Sequence, residues 1–427
     1  MEKKYKLTEE TTNVYGRILH RIEAIKDFGN VKKGDKGGFV ENEENLSQYR
    51  NCWIYGNAKV YEDALVRDDA EVYDNAEICG NVLISDNAKI DGNAEVFGNA
   101  EVFGKAIVCQ NAEVCDNARI YGNAKVYGNS KVYGNASVYG NAEVYGMAKV
   151  CENTHVLGNA KVYGNASVYG NAVVYNDAKV YDDVKVCGSA CVRGNAVICD
   201  RVSVYDNAIV FDKSIVSGYA KVYGDARVYD NTKVGGNAMV YDNARVCGNA
   251  KVGGNAIVYG KASVCDNASV YGNAEVYGMA KVCENTHVLG NAKVYGNASV
   301  YGDARICDDA KIYDDAKIYG LAWVYHNAEV CSSAEVCGSA EVCGDAKVES
   351  NGDYIVFKNW WSSGRYFTWT KSNDMWKVGC FYGTGKELIE KAYMDSELSG
   401  REYERVVKYV ESILKNNNVE VLCETGV

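Results

Sequence analysis

Apolar residues recur at every sixth position over most of this chain. Val or Ile occupies each such position from Ile54 through Val348, fifty positions without an insertion or deletion. Four residues after each of them lies a small residue, which is Ala at 41 of 49 positions. In the unit 124–129, Ala-Lys-Val-Tyr-Gly-Asn, Ala and Val alternate with Lys and Tyr, the pattern of a strand with one buried face. We expect a very short strand in each unit, with Ala and Val inside.

The last two positions of each unit, usually Gly-Asn or Asp-Asn, predict a bend. Gly and Asn tolerate the left-handed backbone region at little cost. The bend is too short for neighbouring strands to pair as a hairpin, so each strand is expected to pair with the equivalent strand one coil away. Proline is absent from the chain, as expected for a backbone whose N–H groups donate to sheet ladders.

This pattern of an aliphatic residue followed four residues later by a small one resembles the hexapeptide repeat of the left-handed parallel β-helix family. Members of that family place three hexads on the sides of a triangular prism. The resemblance covers residues 51–348 and implies an all-β solenoid of about 16–17 triangular coils. The chain departs from the family pattern after each Val, where it has Tyr or Cys instead of Gly, Ala, Glu or Asp.

The two ends of the chain break the six-residue period. Residues 1–50 predict an N-terminal cap over an otherwise unpaired strand edge. The stretch from Tyr15 to Trp53 resembles the lead-in of hexapeptide-repeat proteins of enteric bacteria and prophages, which are commonly labelled transferases. Residues 349–427 predict a small α+β module that resembles modules of phage-encoded proteins. Its two helices are expected to begin at the capping boxes Thr384–Glu387 and Ser399–Glu402.

Composition restricts the function classes. A net charge of −11 and a pI near 5.1 argue against nucleic acid as a partner. The first residues lead into no apolar core of signal-peptide length, and no apolar run of membrane-spanning length is present, so we expect neither an exported nor a membrane-spanning protein. These observations predict a protein of the bacterial or phage-infected cytoplasm, or of a virion, with no membrane partner.

The cysteines follow the repeat. Seventeen are present, and thirteen replace Tyr at one repeat position, which indicates Tyr/Cys interchange in a reducing compartment. Cys247, Cys265 and Cys283 are spaced by 18 residues and are expected to stack on successive coils. Reduced thiols are the favoured interpretation, with an oxidisable pair and a metal site as alternatives. The sequence therefore predicts neither a metal site nor a cofactor.

An internal duplication argues against a composite site along the repeat. Residues 267–302 reproduce residues 135–170 letter for letter. The offset of twenty-two hexads is not divisible by three, so a three-sided coil is expected to place the copies on different faces. Because the same segment is accepted on different faces, no face is expected to carry a special site. This predicts that the repeat is selected as a rod.

The family resemblance implies acyltransferase chemistry, in which a His acts as general base and acyl-CoA binds along the prism. The weak candidates for that base are His155, His287 and His326. The uninterrupted hexads leave no donor-binding loop, so catalysis is disfavoured. A stacking surface for a partner is a second candidate, although the same aromatic residues could form the core of a small sheet. This aromatic set comprises Trp360, Trp361, Tyr366, Trp369, Trp376 and Tyr382.

Together these patterns favour a non-catalytic scaffold or partner-binding rod of phage or prophage origin. Its C-terminal module would recognise an unidentified protein partner, and its flat faces could mediate homotrimerisation. One alternative is a hexapeptide-repeat acyltransferase that uses acyl-CoA or a similar donor. A further alternative is an inhibitor of a host protein that acts by surface mimicry.

Overall fold

The computed structural model describes residues 3–424, with side chains described up to residue 415. The chain divides into two compact units between Gly248 and Asn249, and each contains a parallel β-solenoid. Two-residue strands recur every six residues, from Trp53–Ile54 to Arg245–Val246 in the first unit and from Lys251–Val252 to Lys347–Val348 in the second. These fifty strands of the described chain make about 17 turns. The predicted all-β solenoid is confirmed, and its left-handed sense stays a prediction.

Within each unit, strands pair in parallel with the strand 18 residues away. Lys125 is in register with Glu143 in the first unit, and Glu275 is in register with Lys293 in the second. Along these ladders the backbone N–H groups point toward the next coil, as when Lys125 N–H donates to the Ala142 carbonyl oxygen at 2.9 Å. Because the pairing spans three hexads, consecutive strands belong to three separate ladders.

The interior of the solenoid has the composition that the alternation predicts. Ala124 and Val126 are completely buried, whereas Lys125 is exposed and Tyr127 is half-buried. The buried Thr232 hydroxyl has no hydrogen-bond partner among the described residues, but the other four small polar residues that replace Ala bond locally. Thr154, for example, donates its hydroxyl to the carbonyl oxygen three residues earlier at 3.0 Å. Buried hydroxyls with such partners avoid most of the desolvation cost.

Left-handed backbone occurs at the first residue of each two-residue bend. Gly122 has φ +71° and Asp116 has φ +60°. The Asn that follows does not share this conformation, contrary to its expected role as a turn former. It stacks instead, and Asn117 Nδ2 donates to Asn135 Oδ1 one coil away at 3.1 Å. The preference for Asn therefore reflects side-chain ladders along the corners.

The N-terminal cap is a three-stranded antiparallel sheet followed by a short 3₁₀ helix, Glu43–Asn45. Its strands are β1 (Tyr5–Val14), β2 (Arg17–Ala24) and β3 (Lys36–Val40). The strand β3 also pairs in parallel with the solenoid strand Lys59–Val60. The strand β3 thus continues one parallel ladder of the solenoid, and β2 and β1 extend the same sheet with antiparallel pairing.

The first coil presents carbonyl oxygens to the cap, and the cap supplies donors. The Phe39 N–H donates to the Ala58 oxygen at 2.8 Å, and Asn45 Nδ2 donates to the Ala64 oxygen at 2.9 Å. Lys4 is 1% exposed, and its ammonium donates to three carbonyl oxygens, the closest being that of Cys52 at 2.9 Å. Burial lowers the Lys4 pKa from its ordinary value.

The C-terminal module contains a four-stranded antiparallel sheet and two helices, α1 (Gly385–Asp395) and α2 (Glu397–Glu424). The strands pair in chain order: Tyr354–Lys358, Tyr366–Thr370, Met375–Val378 and Phe381–Gly383. A short 3₁₀ helix, Asn351–Asp353, leads into the sheet. Neither helix is both long and apolar enough, over its described residues, to span a membrane.

One predicted helix start is confirmed and the other is wrong. Thr384 caps α1, since its hydroxyl accepts from the Glu387 N–H while Glu387 Oε2 accepts from the Thr384 N–H. Ser399 lies inside α2, which begins at Glu397. The Ser399 N–H donates to Ser396 Oγ at 3.1 Å, so Ser396 fills the role expected of Ser399.

The C-terminal module closes the end of the solenoid with acceptors. In the last coil, the N–H groups of Glu335, Glu341 and Lys347 have no following coil to which they could donate. They donate instead to side-chain oxygens of the module, at 2.7, 2.8 and 2.6 Å respectively. The three acceptors are Asn351 Oδ1, Thr368 Oγ1 and Ser372 Oγ. Each of the three ladders therefore ends on at least one side-chain oxygen of the module.

Candidate functional site

The three candidate histidines lie on the solenoid in different surroundings. His155 is exposed in a parallel ladder between Ser137 and Val173, and Tyr139 meets its ring edge-on at a centroid distance of 6.4 Å. A flat strand of this kind supplies no walls for a substrate.

His287 is half-buried and His326 is exposed. His287 occupies the middle of a ladder between Ser269 and Arg305. His326 occupies a bend with φ +58°, and its Nε2 lies 3.9 Å from Asp308 Oδ2. Both His326 and Asp308 have exposed side chains, so their contact does not form a sheltered site.

The predicted aromatic set divides into core and surface residues. Trp369 and Trp376 are each 1% exposed and form the core of the module with Phe367. They cannot act as an open stacking surface, so the alternative interpretation of the set as a sheet core is correct for these two. Trp361 is half-buried and packs edge-on against Tyr403 at 4.9 Å.

The other three aromatic residues reach the surface at two places. Tyr382 lies at the junction with the solenoid, where its hydroxyl donates to the Cys343 carbonyl oxygen at 3.4 Å. Trp360 is 74% exposed and lies in the connection between the first two strands of the module, and Tyr366, which begins the second strand, is 45% exposed. Lys358 Nζ lies 5.6 Å from the centroid of the Tyr366 ring. Trp, Tyr and Arg residues are enriched in protein-binding hot spots.

A cavity of about 280 Å³ is lined by residues of both helices and of the connection between the first two strands. Its floor is apolar and comes from both helices, with Leu388 and Ala392 of α1 and Tyr403 of α2. The connection that carries Trp360 contributes Asn359 and Arg365 to the wall. We call this cavity with Trp360 the module pocket. Its remaining lining residues are Ser363, Val378, Gly379, Cys380, Phe381, Lys391 and Asp395.

Buried hydrogen bonds hold the wall of the module pocket in place. Asn359 is almost fully buried, and its Nδ2 donates to the Tyr403 hydroxyl and to Ser362 Oγ, both at 2.8 Å. Its Oδ1 accepts from the Ser362 N–H at 2.9 Å. Burial raises the pKa of Tyr403, so its phenol stays neutral and can both donate and accept. The connection is therefore anchored to α2 rather than loose.

Two of the three charged residues that line the module pocket are cations. Arg365 and Lys391 line it, and among the described side chains neither forms an ion pair. Lys391 Nζ lies 5.7 Å from the Phe381 ring centroid. Asp395 is the one carboxylate among the lining residues. An apolar floor below two cations suits a ligand that joins an apolar side chain to a nearby carboxylate.

Comparison with known proteins adds to the fold assignment. Residues 118–134 match the family model described as the YdcK Beta solenoid repeat. These residues lie within the regular ladders of the first unit. The chain is a parallel β-solenoid repeat protein. No curated protein matches this β-solenoid chain.

The β-solenoid repeat accounts for the ladders but not for the residues that end them or line the pocket. Sequence reasoning missed Asn359, because a single Asn between strands usually indicates a surface turn. It also missed Arg365, because one cation in a polar connection has no pattern. The local signal that could have drawn attention to this connection is the adjacent pair Trp360-Trp361, only one of which packs into the core.

Proposed function

We propose that this protein is a non-catalytic scaffold whose C-terminal module binds a protein partner. The observation that carries the proposal is that different parts of the module contact the solenoid and form the module pocket. The second strand of its sheet and the turn after that strand provide acceptors for the last coil, through Thr368 and Ser372. The module pocket forms elsewhere, where the strand Tyr354–Lys358 ends. The module is thus hydrogen-bonded to the solenoid, and the module pocket remains available for a partner.

The solenoid itself supports a scaffold rather than an enzyme. Its described coils keep the six-residue period throughout, so no segment rises from a face to hold a cofactor. The candidate bases His155 and His287 lie on flat ladders. The resemblance of the N-terminal stretch and of the C-terminal module to phage and prophage proteins supports a phage or prophage origin. Action inside the host cell or in a virion, and trimerisation through the flat faces, belong to the same proposal.

Partner binding is tested with the full chain immobilised in host lysate and quantitative mass spectrometry. A protein enriched at least tenfold is expected to be lost when Trp360→Ala and Arg365→Ala are combined, since exposed Trp and Arg commonly carry such binding. The matched control is Tyr409→Ala, an equally aromatic and exposed position on α2 outside the module pocket. Enrichment that survives the double substitution contradicts recognition by this module.

The acyltransferase alternative is tested by calorimetry with acyl-CoA. The scaffold proposal predicts no saturable heat. Saturable binding that is abolished by His155→Asn or His287→Asn, with the solenoid still folded by circular dichroism, would overturn it in favour of catalysis.

A further inference from the structure

Two cysteines and an aspartate meet on neighbouring coils of the second unit. The Sγ atoms of Cys265 and Cys283 and a carboxylate oxygen of Asp266 all lie within 4.8 Å of one another. The two cysteines are half-buried and Asp266 is exposed. This cluster has no part in the partner-binding proposal.

The backbone holds all three residues in place. The Cys265 N–H donates to the Val282 oxygen at 2.9 Å, and the Cys283 N–H donates to the Val300 oxygen at 3.0 Å. Asp266 has the left-handed φ of +56°, and its Oδ2 accepts from the Glu284 N–H at 3.2 Å. That bond aims the carboxylate at the coil that carries Cys283. Ligands positioned before binding lose little conformational freedom when an ion is bound.

The internal duplication supplies a natural comparison. Cys283 lies within the repeated segment and corresponds to Cys151 in the first copy. The two residues just before the repeated segment differ, since Tyr133-Gly134 stands where the second copy has Cys265-Asp266. In the first copy, interaction with the Cys151 thiol raises the pKa of Tyr133, which lies one coil away. A Tyr followed by a Cys one coil later, 18 residues further along the chain, is a common arrangement on this solenoid. Other examples are Tyr169–Cys187, Tyr313–Cys331 and Tyr325–Cys343. The second copy therefore gains a second thiol and a carboxylate together.

We propose that Cys265, Asp266 and Cys283 form a site for a divalent thiophilic cation of the zinc group. Two thiolates and one carboxylate, with water in the fourth position, form a ligand set that such ions accept. Zn–S bonds of about 2.3 Å place two sulfurs about 3.8 Å apart in a tetrahedral site. That separation is within the spread of the ligand atoms. On binding, two S–metal bonds form and each thiol releases its proton to solvent, so two protons leave per ion.

The test is titration of the full, reduced chain with Co²⁺ under argon, followed by competition with Zn²⁺. One Co²⁺ per chain is expected, with the charge-transfer absorbance of thiolate ligands and the intense visible bands of a tetrahedral ion. Cys283→Ser should weaken binding at least about tenfold, since even substitution of residues that support metal ligands costs this much. Cys151→Ser should leave it unchanged.

Exchanging residues between the two copies of the duplication controls for folding, because each residue pair already occurs at the equivalent position of this solenoid. Cys265→Tyr with Asp266→Gly restores the residues of the first copy and should abolish binding in a folded chain. Tyr133→Cys with Gly134→Asp should raise the stoichiometry from one ion to two. The proposal is overturned if the unaltered chain binds no ion with thiolate absorbance, if binding survives the first exchange, or if the second exchange adds no site.

Discussion

The backbone N–H of Glu341 donates to the hydroxyl oxygen of Thr368 at 2.8 Å. One coil earlier, the equivalent N–H of Trp323 donates to the carbonyl oxygen of Ala340 at 2.8 Å. The Thr368 hydroxyl therefore stands where the next coil would place a carbonyl oxygen. A solenoid end with satisfied donors cannot template the addition of another strand, which is the hazard of an open sheet edge.

Thr368→Val should destabilise this end of the solenoid. Val has nearly the same shape as Thr but offers no acceptor, and Thr368 is only 1% exposed, so water cannot easily replace the hydroxyl. An unsatisfied buried N–H costs about 1–3 kcal/mol. Native-state hydrogen exchange at the Glu341 amide should report a local opening free energy lower by that amount. The matched control is Ser372→Ala, whose exposed position lets water take over the bond from Lys347. Equal effects of the two substitutions would contradict this account.

The N-terminal cap depends on one buried charge. Lys4→Met should lower the stability of the cap by about 2–3 kcal/mol, because buried carbonyl oxygens that accept from the ammonium lose their donor. Limited proteolysis and hydrogen exchange within β1 should show faster local opening. Lys3→Met is the control, since Lys3 is exposed and pairs with Glu43 at 2.7 Å, a surface ion pair worth at most about 1 kcal/mol. A cap that is equally stable in both variants would show that the Lys4 bonds contribute nothing.

The sequence predicted those features of the fold that follow from the six-residue period. Ala and Val had to face inward, because alternation in a two-residue strand leaves one choice of face, and the structure confirms this. The Thr384 cap was also predictable from local sequence. Lys4 was not, because nothing in a run of polar residues shows that distant carbonyl oxygens will surround one of them. Trp369 and Trp360 belong to the same aromatic stretch, and only the packing of α1 and α2 on the sheet buries the first and leaves the second exposed.

At the first position of a bend, replacement of Gly by Asp should destabilise the solenoid less than replacement by Ala. Gly122→Ala places a Cβ about 3.0 Å from the Gly140 nitrogen in a left-handed backbone, and this conformation costs an L-residue about 1–2 kcal/mol. Gly122→Asp meets the same strain but gains a bond, because Asp116 Oδ2 at an equivalent bend accepts from the Gly134 N–H at 2.9 Å. Thermal unfolding of the full chain should therefore rank Gly122 above Asp and Asp above Ala. An Ala variant as stable as the Asp variant would refute the role assigned to the carboxylate.

Alkaline pH should unfold the solenoid through its tyrosines. The pKa of Tyr127, Tyr133 and Tyr229 is raised to about 12. Burial is the main cause for Tyr127, and a hydrogen bond to the thiol one coil away is the main cause for Tyr133 and Tyr229. The folded chain therefore holds these protons above the ordinary Tyr pKa of about 10. Their contribution to stability is complete below about pH 10 and is lost as the pH rises through about 12.

Phenolate absorbance and circular dichroism recorded in one titration will check this prediction. In the folded chain, part of the phenolate signal should develop only near pH 12, together with loss of the β-sheet signal. In concentrated urea, the same chain should titrate in one step near pH 10, because unfolded tyrosines have neither burial nor a neighbouring thiol. If all the phenolate absorbance develops near pH 10 while the β-sheet signal persists, the tyrosines of the ladders are not protected in the way that their contacts require.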